Sequence, residues 1–135
     1  MSRVDPPSRK WSVLVVDDDP GVQGLFQTLL GREGFAVDSA PNGRIAFDYL
    51  KRNSYSVILL DLMMPDVNGF ELLERLERNS PHLLRRVIIM TGAAQRFVDS
   101  VSDAGVWGMI RKPFDIDELL HAARECASGR STVAI

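Results

Sequence analysis

Residues 14–21 read LVVDDDPG, an apolar run that meets three consecutive aspartates and then a Pro-Gly turn. Adjacent carboxylates repel one another and resist losing water, so the cluster needs a cation, hydrogen-bond donors or solvent nearby. The apolar run belongs to a series: SVLVV at 12–16, AVDSA at 36–40, VILLD at 57–61, RVIIM at 86–90 and WGMIR at 107–111. The first, third and fourth are almost wholly apolar, as strands covered on both faces are. AVDSA alternates, which suits an edge strand.

Stretches of helical period separate the runs. Val22, Leu25, Phe26, Leu29 and Leu30 form an amphipathic stripe, and Gly34 supplies its stop. Residues 45–50, the trio Phe70, Leu73 and Leu76, and the set Ile116, Leu119, Leu120 and Ala123 suggest further helices. The last begins at Asp115, which can cap it while Glu118 reaches back. Residues 93–104 carry a thinner stripe of Phe97, Val98 and Val101. Five strands alternating with five helices give an α/β fold, a doubly wound parallel sheet with helices on both faces and right-handed crossovers. In such a sheet the loops leaving the C-terminal strand ends form the ligand crevice. Four runs deliver Asp17 and Asp18, Asp61, Thr91 and Lys112 to that one rim.

Length and charge narrow the rest. The 135 residues fit one domain, with the pattern over 11–127, an N-terminal tail at 1–10 and a C-terminal tail or truncated linker at 128–135. A net charge of −2 without a Lys/Arg run argues against nucleic-acid binding by this chain. No apolar run approaches the roughly 18 residues of a membrane span, and the start has no hydrophobic signal region, so the expected location is cytoplasmic. The single Cys126 has no internal disulfide partner and reads as a small apolar filler. His82 and His121 lack metal-ligand spacing and read as surface residues.

The motifs VVDDD, LLDLMMPDVNG, IIMTG and RKPF, in this order and spacing, resemble the receiver domain of bacterial two-component response regulators over about residues 11–127. The resemblance implies a flavodoxin-like sheet of strand order 2-1-3-4-5. It also implies two-component signal transduction, in which Asp61 accepts a phosphoryl group from the phosphohistidine of a sensor histidine kinase or phosphotransfer protein. The chain would then be a phosphoacceptor signalling domain that catalyses its own phosphorylation and dephosphorylation, not an enzyme acting on other substrates. Mg2+ is implied, held directly by Asp18 and Asp61, by Asp17 through water, and by the backbone carbonyl of Met63.

The residue chemistry agrees with that reading. Three carboxylates make a hard oxygen site suited to Mg2+. The Lys112 ammonium can pair with a phosphoryl oxygen and the Thr91 hydroxyl can bond another. Asp19 precedes Pro20, and Asp at the N-cap followed by Pro starts a helix well, so two aspartates hold metal and one caps. Lys112-Pro113 resembles the family's commonly cis junction, although X-Pro bonds are mostly trans. Pro65, Asp66, Asn68 and Gly69 shape the loop after Asp61. Movement of the threonine implies a switch in the face of the fourth helix, fifth strand and fifth helix, which a downstream effector would read; homodimer formation stays open.

The chain departs from the family at Met109, three residues before the lysine, where many receivers carry Tyr or Phe. Trp107, two residues earlier, is expected on the same strand face, where it can stand in for that aromatic. Met63 and Ala93 flank the expected phosphoryl site without a side chain able to orient water, so slow self-dephosphorylation is expected. Three other readings compete with this one. A haloacid dehalogenase-like phosphatase needs a second Asp two residues after its nucleophile; Asp17 and Asp19 meet that spacing, but the residue two after Asp61 is Met63. A flavin carrier would have to cradle a phosphate on DDDP, which repels one without metal. An unphosphorylated receiver-like scaffold would be suggested by loss of acceptor residues, and all five are present.

Overall fold

Val13, Leu14, Val15 and Val16 are wholly buried because their strand, β1 (Trp11–Val16), lies inside a parallel sheet with helices on either side. The computed structural model describes residues 11–62, 69–92 and 105–129. After β1 come α1 (Pro20–Arg32), β2 (Phe35–Ala40), α2 (Gly43–Arg52), β3 (Val57–Asp61), α3 (Gly69–Asn79), a 3-10 turn (Pro81–Arg86), β4 (Val87–Thr91), β5 (Gly108–Arg111) and a C-terminal helix (Ile116–Ala127). The five strands pair in the order β2-β1-β3-β4-β5, all parallel, as expected. β2 and β5 are the edges.

Alternation along the strands divides the core in two. Leu14, Val16, Ile58, Leu60, Val87 and Ile89 pack with Ala46 of α2 and with Leu72, Leu73 and Leu76 of α3. Val13, Val15, Leu59, Ile88, Met90 and Ile110 pack with Phe26 and Leu30 of α1 and with Leu119, Ala123 and Cys126 of the C-terminal helix. Register then aligns the strand ends. Val16 stands beside Ala40 and Leu60, Asp61 beside Met90, and Thr91 beside Arg111. The residues that follow these ends therefore share one rim.

Several expectations needed correction. Leu25 is 49% exposed, because it sits about 100° round α1 from Phe26, on the solvent margin of the stripe. Asp115 occupies the N-cap of the C-terminal helix, but its side chain makes no cap hydrogen bond; its carbonyl accepts from Leu119 N–H at 3.2 Å. Trp107 does not share a face with Met109. Trp107 packs against the core on the α1 side and Met109 against the core on the α2/α3 side. The reason is that β5 begins at Gly108, so strand alternation does not extend back to Trp107. Thr91 ends β4 rather than following it. The expected helix over 93–104, the loop residues 65–68, Met63, Ala93 and the tails at 1–10 and 130–135 lie outside the described residues.

Candidate functional site

The acidic stretch after β1 is ordered by its own backbone. Asp17 N–H donates to Ala40 O at 3.1 Å, extending the β1–β2 ladder one residue past the strand. The Asp17 carbonyl accepts from Gln23 Nε2 at 2.5 Å, and its Oδ1 accepts from Asp19 N–H at 2.9 Å. Asp19 in turn caps α1, accepting from Gly21 N–H at 2.8 Å and Val22 N–H at 3.4 Å, with Pro20 at the first helical position. Such a cap is worth about 1 kcal/mol, and it takes the third aspartate out of the cluster as expected. Gly34, at φ 94°, ends the same helix in the left-handed conformation that glycine tolerates.

Asp61 ends β3 and is held from behind. A Cβ added to Gly69, the first residue of α3, would lie 3.0 Å from Asp61 O and 2.9 Å from a Leu62 methyl. α3 can seat against the strand end only because that side chain is missing. Beyond Asp61, Leu62 N–H donates to Met90 O at 3.2 Å, joining the end of β3 to β4.

Asp17, Asp18 and Asp61 each present a carboxylate oxygen within 4.8 Å of the others. Asp17 and Asp61 are buried while Asp18 is exposed. Lys112, the residue after β5, places Nζ 3.3 Å from Asp61 Oδ2, and its N–H donates to Thr91 O at 2.9 Å. Thr91 is wholly buried at the end of β4, between the strands that carry those two residues. The Lys112-Pro113 bond is cis.

Burial raises the Asp17 carboxyl from 3.8 to about 6. The Asp19 N–H and the Lys112 charge oppose that rise, and the Asp61 and Asp18 charges add to it. Asp17 Oδ2 is buried with no hydrogen-bond partner among the described residues. Such an orphaned oxygen beside two further carboxylates is what a hard divalent cation satisfies, so the donor set fits Mg2+. Met63, the expected carbonyl ligand, lies outside the described residues. Away from this rim, His82 and His121 are exposed. Cys126 is buried against Arg85 O, with its thiol pushed up to about 12 by desolvation, which fits a filler.

The family model for the response regulator receiver domain matches residues 13–124. The chain belongs to this family. This receiver is 32% identical over 114 residues to sporulation initiation phosphotransferase F of Bacillus subtilis (strain 168), covering 84% of the chain and 90% of that protein. It is 35% identical over 111 residues to response regulator Rre1 of Synechocystis, covering 80% of the chain but 48% of that longer relative. The chain spans half or less of several other curated relatives, down to 22% of DNA-binding transcriptional regulator NtrC of Bradyrhizobium. The receiver domain of Francisella response regulator 1452 superposes with a TM-score of 0.79 at 28% identity, over 89% of this chain and 98% of that one. Response regulator TrrA of Thermotoga maritima, solved in complex with Mg(2+)-BeF, superposes at 0.74 with 27% identity, over 86% and 98% of the two chains. These relatives are response-regulator proteins and not haloacid dehalogenases, which removes the phosphatase alternative. The protein is a two-component receiver domain whose acidic pocket fits a phosphorylation site.

Gln23 and the contact of Gly69 were missed by sequence reasoning. Both act on backbone atoms of the acidic residues, and such contacts leave no pattern of residue types. The placement of Pro20 was the available signal for Gln23, since it sets the helix start and puts Gln23 in the first turn.

Proposed function

We propose that Asp61 takes a phosphoryl group from the phosphohistidine of a sensor histidine kinase or phosphotransfer protein and that the chain's own residues promote the transfer. The observation that carries this is the 3.3 Å pairing of Lys112 Nζ with a buried Asp61 that also faces Asp17 and Asp18. In the transfer the P–N bond to the donor histidine breaks while a P–O bond to Asp61 forms, and the electron pair returns to the imidazole nitrogen. Lys112 exchanges its contact with the carboxylate for one with a phosphoryl oxygen. Thr91 offers its hydroxyl to another oxygen. Asp17, Asp18 and Asp61, with the carbonyl of Met63, would hold Mg2+. When bound, that ion neutralises phosphoryl charge and relieves repulsion among the carboxylates. The chemistry of the donor set and the Mg(2+)-BeF complex of TrrA support this assignment.

The receiver would span residues 11–127 and act in the cytoplasm, with a switch at Thr91 read by a downstream effector through the face of β5, the C-terminal helix and the expected helix over 93–104. No helix among the described residues is long and apolar enough to cross a membrane. The test is incubation with acetyl phosphate and MgCl2 followed by intact-mass measurement. One phosphoryl group is expected on the wild type and none on Asp61→Asn. Equal labelling of the two would overturn the assignment.

A further inference from the structure

Both peptide groups of Asp17 are engaged, and only one of them by the sheet. Its N–H meets Ala40 O, continuing the ladder of β1 and β2, while its carbonyl accepts from Gln23 Nε2 at 2.5 Å. The second bond holds the peptide plane that joins Asp17 to Asp18 and keeps the Asp17 carbonyl turned toward α1. Asp18 is exposed, and no hydrogen bond among the described residues fixes its carboxylate, so its direction follows from the peptide that carries it. Asp17 has one side-chain oxygen committed to Asp19 N–H and the other orphaned, so a turn about the Asp17 Cα–C bond would swing Asp18 away from Asp17 and break that Asp19 contact.

We infer that Gln23 is a positioning residue for the metal pocket. Its side-chain amide locks the Asp17–Asp18 peptide so that both carboxylates converge with Asp61. The role rests on the metal reading given above. It belongs to none of the four motifs and needs only a donor of the right reach on the first turn of α1. Partners that fix a ligand from behind typically change metal affinity by about 10-fold or more when removed.

The test is a titration of the full chain with MgCl2, followed through backbone amide shifts in two-dimensional NMR, for wild type, Gln23→Met and Gln23→Glu. Met keeps the length and the helix propensity of Gln and removes the donor. Glu also removes the donor but adds a negative charge, which by simple attraction would strengthen cation binding. Both variants are expected to bind Mg2+ roughly 10-fold more weakly, with spectra in chelator that stay native outside the pocket. Unchanged affinity in Gln23→Met, or tighter binding in Gln23→Glu, would overturn the role while leaving the metal reading intact. A wild type that does not respond to MgCl2 would overturn the metal reading and this role with it.

Discussion

Lys112 Nζ stands 3.3 Å from Asp61 Oδ2 although the two residues leave strands that are not neighbours, with β4 between them. An ammonium so placed offsets repulsion among the acids at rest and meets developing phosphoryl charge during transfer. Removing it in Lys112→Ala should slow acetyl phosphate labelling of Asp61 by roughly 100-fold, the scale for losing one preorganised charge contact. Labelling kinetics by mass measurement decide this, and a variant as fast as wild type would refute it.

Asp17 gives the pocket a pH dependence. Its carboxyl is raised from 3.8 to about 6, chiefly by desolvation, so the folded state holds a proton that the unfolded state has released. Stability of the metal-free protein should therefore fall as pH climbs between those two values and stay lower above them, by an amount on the order of 3 kcal/mol. Urea unfolding in chelator at acidic and neutral pH measures the effect. Asp17→Asn should lack this part of the slope, and MgCl2 should restore stability at neutral pH by binding the ionised form.

Gly69 presses on the acceptor strand. Gly69→Ala would bring a methyl to 3.0 Å from Asp61 O and 2.9 Å from Leu62, so strain of about 1–3 kcal/mol is expected, with slower labelling of Asp61. Adding Leu62→Ala should recover part of the stability and little of the rate, since the clash with the Asp61 backbone persists. Full recovery of both would mean that side-chain crowding alone is at issue.

Phosphoryl lifetime provides a fourth check. Met63 and Ala93 carry no group able to orient a hydrolytic water, so the aspartyl phosphate should be long-lived. Met63→Asn or Ala93→Glu should shorten its decay in the presence of MgCl2. Unaltered decay in both variants would remove these positions from consideration.

Much of this was legible in the sequence, for identifiable reasons. Strands covered on both faces must be apolar throughout, so VILLD and its companions declared a parallel sheet, and polar residues at their ends declared the rim. The misses follow from what residue patterns leave out. The stripe over residues 22–30 counted Leu25 as inward because periodicity does not say how wide a face the neighbours cover. The capping pattern at Asp115 and Glu118 named the correct boundary, but the structure forms it without the side-chain bond. Trp107 was misplaced because alternation was extended one residue beyond the strand. The 3-10 turn at Pro81–Arg86 has no apolar period to reveal it.

The borders of the sheet have a bearing on self-association. β2 carries exposed Asp38, whose Oδ2 accepts from Tyr55 OH at 2.6 Å, and β5 is only four residues long and ends in Arg111. Fixed charge on one flank and brevity on the other make both poor templates for an incoming foreign strand. At the described margins of its sheet the fold therefore discourages fibril growth with one charged side chain on one side and a short strand on the other, leaving its helices free of that duty.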